Sequence, residues 1–248
     1  MQRIFVFIFV ILFPLCAFSQ RTSLPKNLPN YDNRLWHFGF TLGGNFMGFR
    51  VDKADGFFSD ITVYGVECER FTGFHIGPVS NLRLGRFFDF RMLFDLSFNQ
   101  RDLVFYYMDA LTNSDKVNTP SNFGTGSMQT HRMSLTSTML EFPFHIKYKA
   151  ERWGNFSPYL IAGGCYKYDL TAGGKAKPDE GDKIRLKRHD PSVEWGGGFD
   201  FYLPYFKLSV ELKYSVGLLN TLEKDESPYT QSINKLTSNA LIFSLHFE

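Results

Sequence analysis

The chain of 248 residues is 44% hydrophobic and 17% aromatic, too apolar for a disordered polypeptide and long enough for one or two domains. Its 27 Lys and Arg against 25 Asp and Glu leave a formal charge of +2, which argues against a nucleic-acid binder held by a concentrated basic face. The 28 Phe and 12 Tyr favour strands over helices, and three Cys, one of them near the N-terminus, supply no metal or disulfide framework.

At the N-terminus Arg3 precedes an apolar run from Ile4 to Leu15, followed by Ala17 and Ser19. This layout predicts a signal peptide over residues 1–19, cleaved after Ser19. The run is short for a bilayer-spanning helix, and Phe13 and Pro14 sit badly for a lipoprotein signal ending at Cys16. No later stretch is long and apolar enough for a transmembrane helix, so the mature chain is expected to leave the cytoplasm without a helical anchor. Residues 20–34, rich in Pro and Asn and without periodicity, read as an extended tail.

From Leu35 onward side chains alternate with a period of two, the mark of β-strands. Trp36, Phe38, Phe40, Leu42 and Phe46 share one parity of the first strand. A second strand over residues 74–84 is interrupted by Gly77, Pro78 and Ser80. The third, residues 86–99, is the clearest: Phe88, Phe90, Met92, Phe94, Leu96 and Phe98 oppose Asp89, Arg91, Asp95, Ser97 and Asn99. The fourth carries Leu140, Phe142, Phe144, Ile146 and Tyr148 against Glu141, His145, Lys147 and Lys149, and the fifth, residues 157–170, aligns Leu160, Ala162, Tyr166 and Tyr168. In the sixth, Val193, Trp195, Phe199, Phe201 and Leu203 oppose Glu194, Asp200 and Tyr202. The seventh sets Phe206, Leu208, Val210, Leu212, Tyr214, Val216 and Leu218 against Lys207, Ser209, Glu211, Lys213 and Ser215, and the last unites Leu241, Phe243, Leu245 and Phe247.

Connections between these strands alternate between long and short: 50–69, Gly85, 101–132, 151–155, 171–191, a turn at Pro204, and 220–238. Short turns on one side and long loops on the other belong to an outer-membrane barrel, with the turns and termini in the periplasm. A soluble sandwich would also place apolar residues, not Asp89, Arg91, Asp95, Glu141, Lys147, Asp200, Glu211 and Lys213, on its inner parity. The expected fold is therefore all-β: an eight-stranded antiparallel transmembrane β-barrel over residues 35–248, preceded by a periplasmic N-terminal tail at 20–34, integral to the bacterial outer membrane. Trp36, Phe87, Tyr148, Trp153, Tyr159, Tyr205 and Phe247 lie beside the short turns or the termini and are expected to form one interfacial girdle, with Trp195 and Tyr168 at the opposite edge.

The stretch PKNLPNYD, Pro25 to Asp32, followed by HFGFTLGGNFMGF, His37 to Phe49, and then by the strand pattern, resembles the PorT family of outer-membrane β-barrel proteins of Bacteroidetes-type bacteria. The resemblance implies a component of the type IX secretion system, needed for export of cargo proteins, with other secretion-system proteins as partners. It brings no catalytic, cofactor-binding or metal-binding residue.

Chemistry is sought in His75, in His131 with Ser134, and in His189 beside Asp190, the alternative being an outer-membrane barrel enzyme. Each reads better as a solvated loop residue, and the chain is expected to be no enzyme and to hold no cofactor or metal. The inward charges read as a structural network, since eight strands enclose a lumen that side chains fill. A basic run from Lys175 to Arg188 could meet lipopolysaccharide phosphates; outer-membrane lipid and lipopolysaccharide are the expected partners, and the alternative to export is a small adhesion or lipopolysaccharide-binding barrel. Cys68 on a surface loop and Cys165 in a strand leave a disulfide open.

Overall fold

The computed structural model describes residues 25–53, 62–108, 128–172, 184–223 and 233–248. The expected signal peptide and the basic loop residues Lys175, Lys177 and Lys183 lie outside the described residues.

Nine strand segments follow in chain order: β1 (Trp36–Lys53), β2 (Thr62–Arg83), β3 (Phe88–Leu93), β4 (Asp95–Met108), β5 (Met128–Lys149), β6 (Phe156–Asp169), β7 (His189–Tyr202), β8 (Lys207–Gly217) and β9 (Ile233–Phe247). β3 and β4 are one strand interrupted at Phe94, since both lie between β2 and β5. The interruption has a local cause. Phe94 donates its N–H to the carbonyl of Pro78 at 3.2 Å, but Pro78 has no N–H to return the bond.

Nine segments, two of them one strand, make eight strands. Each pairs antiparallel with its chain neighbours, and β1 also pairs with β9, from Phe40 opposite Phe247 to Lys53 opposite Ile233. The ring is thereby closed where all eight strands pair, whereas beyond that level residues 128–137 of β5 pair with β4 alone among the described residues.

Around the lower part of this ring the outward parity is apolar and uncovered. Phe38 is 71% exposed and Leu160 64%, and Phe40, Phe74, Ile76, Phe94, Phe144, Trp195, Leu212 and Phe243 stand out with them. A continuous apolar belt of this extent is incompatible with water and fits hydrocarbon. The inward parity is buried and polar, as the sequence leads one to expect.

The strands run further than their apolar pattern. β2 and β5 each have 22 residues, about twice what a tilted strand needs to cross a bilayer. Much of the segments expected as loops, 50–69 and 101–132, is therefore strand. The reason is an exchange of parity roles above the membrane. On β1 the inward sequence changes from Thr41 and Asn45 to Met47, Phe49 and Val51, while the outward one changes from Phe46 to Arg50 and Asp52. On β2 a register shift between Arg70 and Phe74 places Glu67 and Glu69 on the outside below in sequence, and Phe74 and Ile76 on the outside after it. The barrel thus follows the rule of a membrane protein at the level of lipid and the rule of a soluble one beyond it.

In that outer extension Phe49, Val66, Leu103, Phe105, Met133, Ile233 and Leu236 form an apolar core, closed over by Ala172, Ile184, Leu186 and Leu222 from the loop ends. An isolated bridge between Leu186 and Leu222 holds the two loops together there.

Candidate functional site

The lumen is the site where polar groups converge. Alternation delivers each of them: β3 turns Arg91 inward, β5 His145 and Lys147, β6 Tyr159 and Lys167, β7 Glu194 and Asp200, β8 Lys207, Glu211 and Lys213, and β9 His246.

Arg91 and Glu211 form a buried ion pair at 2.6 Å, and the same carboxylate accepts from the Tyr159 hydroxyl at 2.9 Å. Lys147 meets Asp200 at 2.7 Å and stands 3.7 Å from the centroid of the Tyr159 ring. Glu194 gathers His145 at 2.9 Å, Lys213 at 3.4 Å and Lys167 at 3.8 Å. Lower down, Lys149 pairs with Asp89 at 3.1 Å, while Glu248 takes Lys207 and Asn81 and lies 3.5 Å from Arg91. Opposite charges buried together in this way are mutually dependent, because each is costly to leave alone.

Of the expected network, Asp89, Arg91, Lys147, Glu211 and Lys213 are in ion pairs, and inward Asp200 joins them, whereas Asp95 and Glu141 are buried side by side in register on neighbouring strands. His145, Lys167, Glu194, Lys207, His246 and Glu248 belong to it as well. Their inward parity was legible; the partners they choose depend on which strands face across the lumen. Glu141, Cys165 and Glu194 place potential ligand atoms within 4.8 Å of one another. The Lys213 and Lys167 ammonium groups already meet the Glu194 carboxylate, so no metal is required there to balance its charge.

The lower mouth is covered by the segment before β1. Residues 25–34 do not trail away as an extended tail; they cross the barrel end and include a 3-10 turn, Tyr31–Asn33. The Tyr31 hydroxyl donates to Glu248 at 2.8 Å, and its ring stacks on His37 at 4.0 Å. Burial and then the Glu248 carboxylate push the Tyr31 phenol far above its ordinary range. Asn27 donates from its backbone to the Asn155 side chain at 2.9 Å and from its amide to the Tyr202 carbonyl at 3.0 Å. Arg152 donates to the Asn27 and Leu28 carbonyls, Arg83 to the Asp32 carbonyl, and the Tyr202 hydroxyl to the Asp32 carboxylate at 3.1 Å. Leu28 adopts a left-handed φ of 49°, which turns the chain back under the barrel.

This plug makes a prediction. Tyr31→Ala should destabilise its docking by about 1–3 kcal/mol, through loss of the stacked ring and of the bond to Glu248. Hydrogen exchange should then accelerate at residues 27–34 and stay slow in the barrel ladder; unchanged exchange at residues 27–34 would show that the plug does not depend on Tyr31.

The residues examined for chemistry do not meet. His75 is not at a loop but deep in the lumen, its Nε2 3.0 Å from the Ser244 hydroxyl. His131 and Ser134 are an odd number apart on β5 and so project to opposite faces. His189 faces outward beside the Tyr166 hydroxyl at 2.5 Å, whereas Asp190 faces inward and accepts from Ser238. Tyr159 also departs from expectation. Its nearness to a turn predicts an interfacial aromatic, but its odd position on β6 turns it inward, 4% exposed. Trp36, Tyr148, Trp153 and Tyr205 are outward and exposed, and Phe87 and Phe247 are half-buried. Cys68 lies in β2 against the apolar core, accepting from the Phe49 N–H at 3.1 Å, with its thiol pushed up chiefly by burial. It and Cys165 are both free.

No curated protein matches the chain. Among solved structures it is similar to the outer membrane protein OprG from Pseudomonas aeruginosa, with 14% identity, 84% of this chain and 93% of that one covered, and a TM-score of 0.43. Neisserial surface protein A is similar at 10% identity, 85% and 97% coverage and a TM-score of 0.41. Ail, the attachment invasion locus protein of Yersinia pestis, is similar at 9% identity, 85% and 96% coverage and a TM-score of 0.37. The model of the outer membrane protein beta-barrel domain matches residues 18–223, the greater part of the chain. With its closed ring, lipid-facing belt and polar lumen, the chain is an integral outer-membrane protein and belongs to the outer membrane protein beta-barrel domain family.

Proposed function

We propose that this barrel serves protein export by the type IX secretion system as a structural or binding accessory, neither the conduit nor an enzyme. The observation that carries the accessory role is the filled lumen, stoppered by the apolar core at the outer end and by residues 25–34 at the periplasmic end. No folded cargo can traverse such a cylinder, so any contribution to export must come through its surfaces. The assignment to secretion rests on the resemblance of residues 25–49 to the PorT family, and residues 25–32 of that stretch form much of the plug. Its periplasmic face would then meet other secretion-system proteins, and its outer loops lipopolysaccharide.

The test is genetic. Deleting the gene should block cargo export, and a copy lacking residues 23–32 should fail to restore it while the barrel still shows heat-modifiable migration. Normal export in the deletion strain would remove the secretion role; full restoration by the shortened copy would remove the plug from it.

A further inference from the structure

Three elements meet at the periplasmic rim: the plug, the turn between β2 and β3, and the link between β5 and β6. They enclose a cleft of about 300 Å³ into which Lys26, Arg83, Arg86, Lys149 and Arg152 project, against two carboxylates, Asp32 and Glu151.

The charges do not cancel. Glu151 is taken by Arg86, and Asp32 lies 3.8 Å from Arg152. Lys149 has Asp89 at 3.1 Å. Among the described residues Arg83 donates only to neutral carbonyls, those of Asp32 and of Gly85, the latter at 3.1 Å, and Lys26 is in no ion pair. A positive surplus therefore remains in a space too small for a folded segment and large enough for a headgroup.

Its height on the barrel narrows the ligand. Phe87 lines the cleft, beneath the Arg86 guanidinium at 5.2 Å, and its ring is 6.4 Å from that of Tyr148, an outward aromatic at the lower edge of the apolar belt. Aromatic side chains at that edge mark the headgroup level. We propose that the cleft binds the phosphate of an anionic glycerophospholipid from the inner leaflet of the outer membrane. Lys26 and Arg83 supply the unbalanced charge, Arg86 and Lys149 add the N–H donors that their single carboxylate partners leave over, and the acyl chains lie along the belt beside Phe87 and Tyr148. Basic side chains near an anionic lipid surface each contribute appreciably, so their effects accumulate.

The experiment uses the full mature chain in a neutral detergent, titrated with phosphatidylglycerol, with phosphatidylcholine of the same acyl chains, or with inorganic phosphate, and read by native mass spectrometry. One phosphatidylglycerol should be retained in preference to phosphatidylcholine. Replacing Lys26, Arg86 and Lys149 together by Gln should weaken that retention at least roughly tenfold. Arg83 and Arg152, which hold the plug, are left in place. Replacing Arg50, Arg132 and Lys235 of the outer extension by Gln should leave it intact. Equal retention of the two lipids, or undiminished retention by the Lys26, Arg86 and Lys149 variant, would overturn the proposal. Displacement of the lipid by millimolar inorganic phosphate would assign the cleft to a free anion and overturn the lipid assignment.

Discussion

Glu194→Ala is expected to cost about 3–5 kcal/mol of barrel stability, the cost of removing one partner from a buried charge cluster. Glu194 is fully buried and is met by His145, Lys213 and Lys167, from β5, β8 and β6, so a single truncation leaves two ammonium groups without their shared carboxylate. Loss of methylene packing is the smaller term. The distinction can be measured: in a Lys213→Met background the same Glu194→Ala change should cost clearly less, because one of the stranded charges is already gone. Denaturant-dependent folding into lipid vesicles, followed by heat-modifiable migration, gives both values. A cost below about 1 kcal/mol for the single change would mean that the cluster is not the coupled network described.

Phe94→Arg should cost about 2–4 kcal/mol in the same assay, the range for a charged side chain on the lipid face near the bilayer midplane. Phe94 is 44% exposed, packs edge-on against Phe142 with ring centroids 5.0 Å apart, and separates β3 from β4 within the apolar belt. Thr130→Arg, on the outer extension of β5 where the outward face meets water, should change stability by no more than about 0.5 kcal/mol. Equal tolerance at the two positions would contradict the assignment of the belt to lipid.

Much of this fold was legible because a membrane barrel writes its rule at every second residue. The parity of residues 86–99 and 206–218 placed Arg91, Glu211 and Lys213 inside and Phe94 and Leu212 outside, as the structure has them. Where the rule changes, the reading fails for a physical reason. Met47, Phe49 and Val51 are apolar and inward, Arg50 and Asp52 polar and outward, so the pattern of β1 inverts beyond Phe46 and looks like the start of a loop. The register shift between Arg70 and Phe74 adds a change of phase on β2, which hides residues 62–70 in the same way.

Residues 25–34 escaped for a different reason. The plug has no periodicity, because its order comes from contacts with Asn155, Tyr202, Glu248 and Arg152, up to 217 residues away in sequence. Tyr159 shows how position and parity can conflict: nearness to a turn suggests an interfacial aromatic, but alternation from Leu160 places it under Arg91 and Lys147. Parity is the better guide, since it follows from backbone geometry, whereas the girdle is a statistical preference.

The lumen is filled along its length, and the proposed accessory role places any function on the barrel's surfaces. Conductance of the purified protein in planar lipid bilayers tests it most directly. The filled lumen, the apolar core and the plug predict no stable open channel, and deletion of residues 23–32 alone should not create one, because the ion pairs of Arg91, Lys147 and Glu194 still fill the middle. A large, steady conductance from the intact protein would contradict the account.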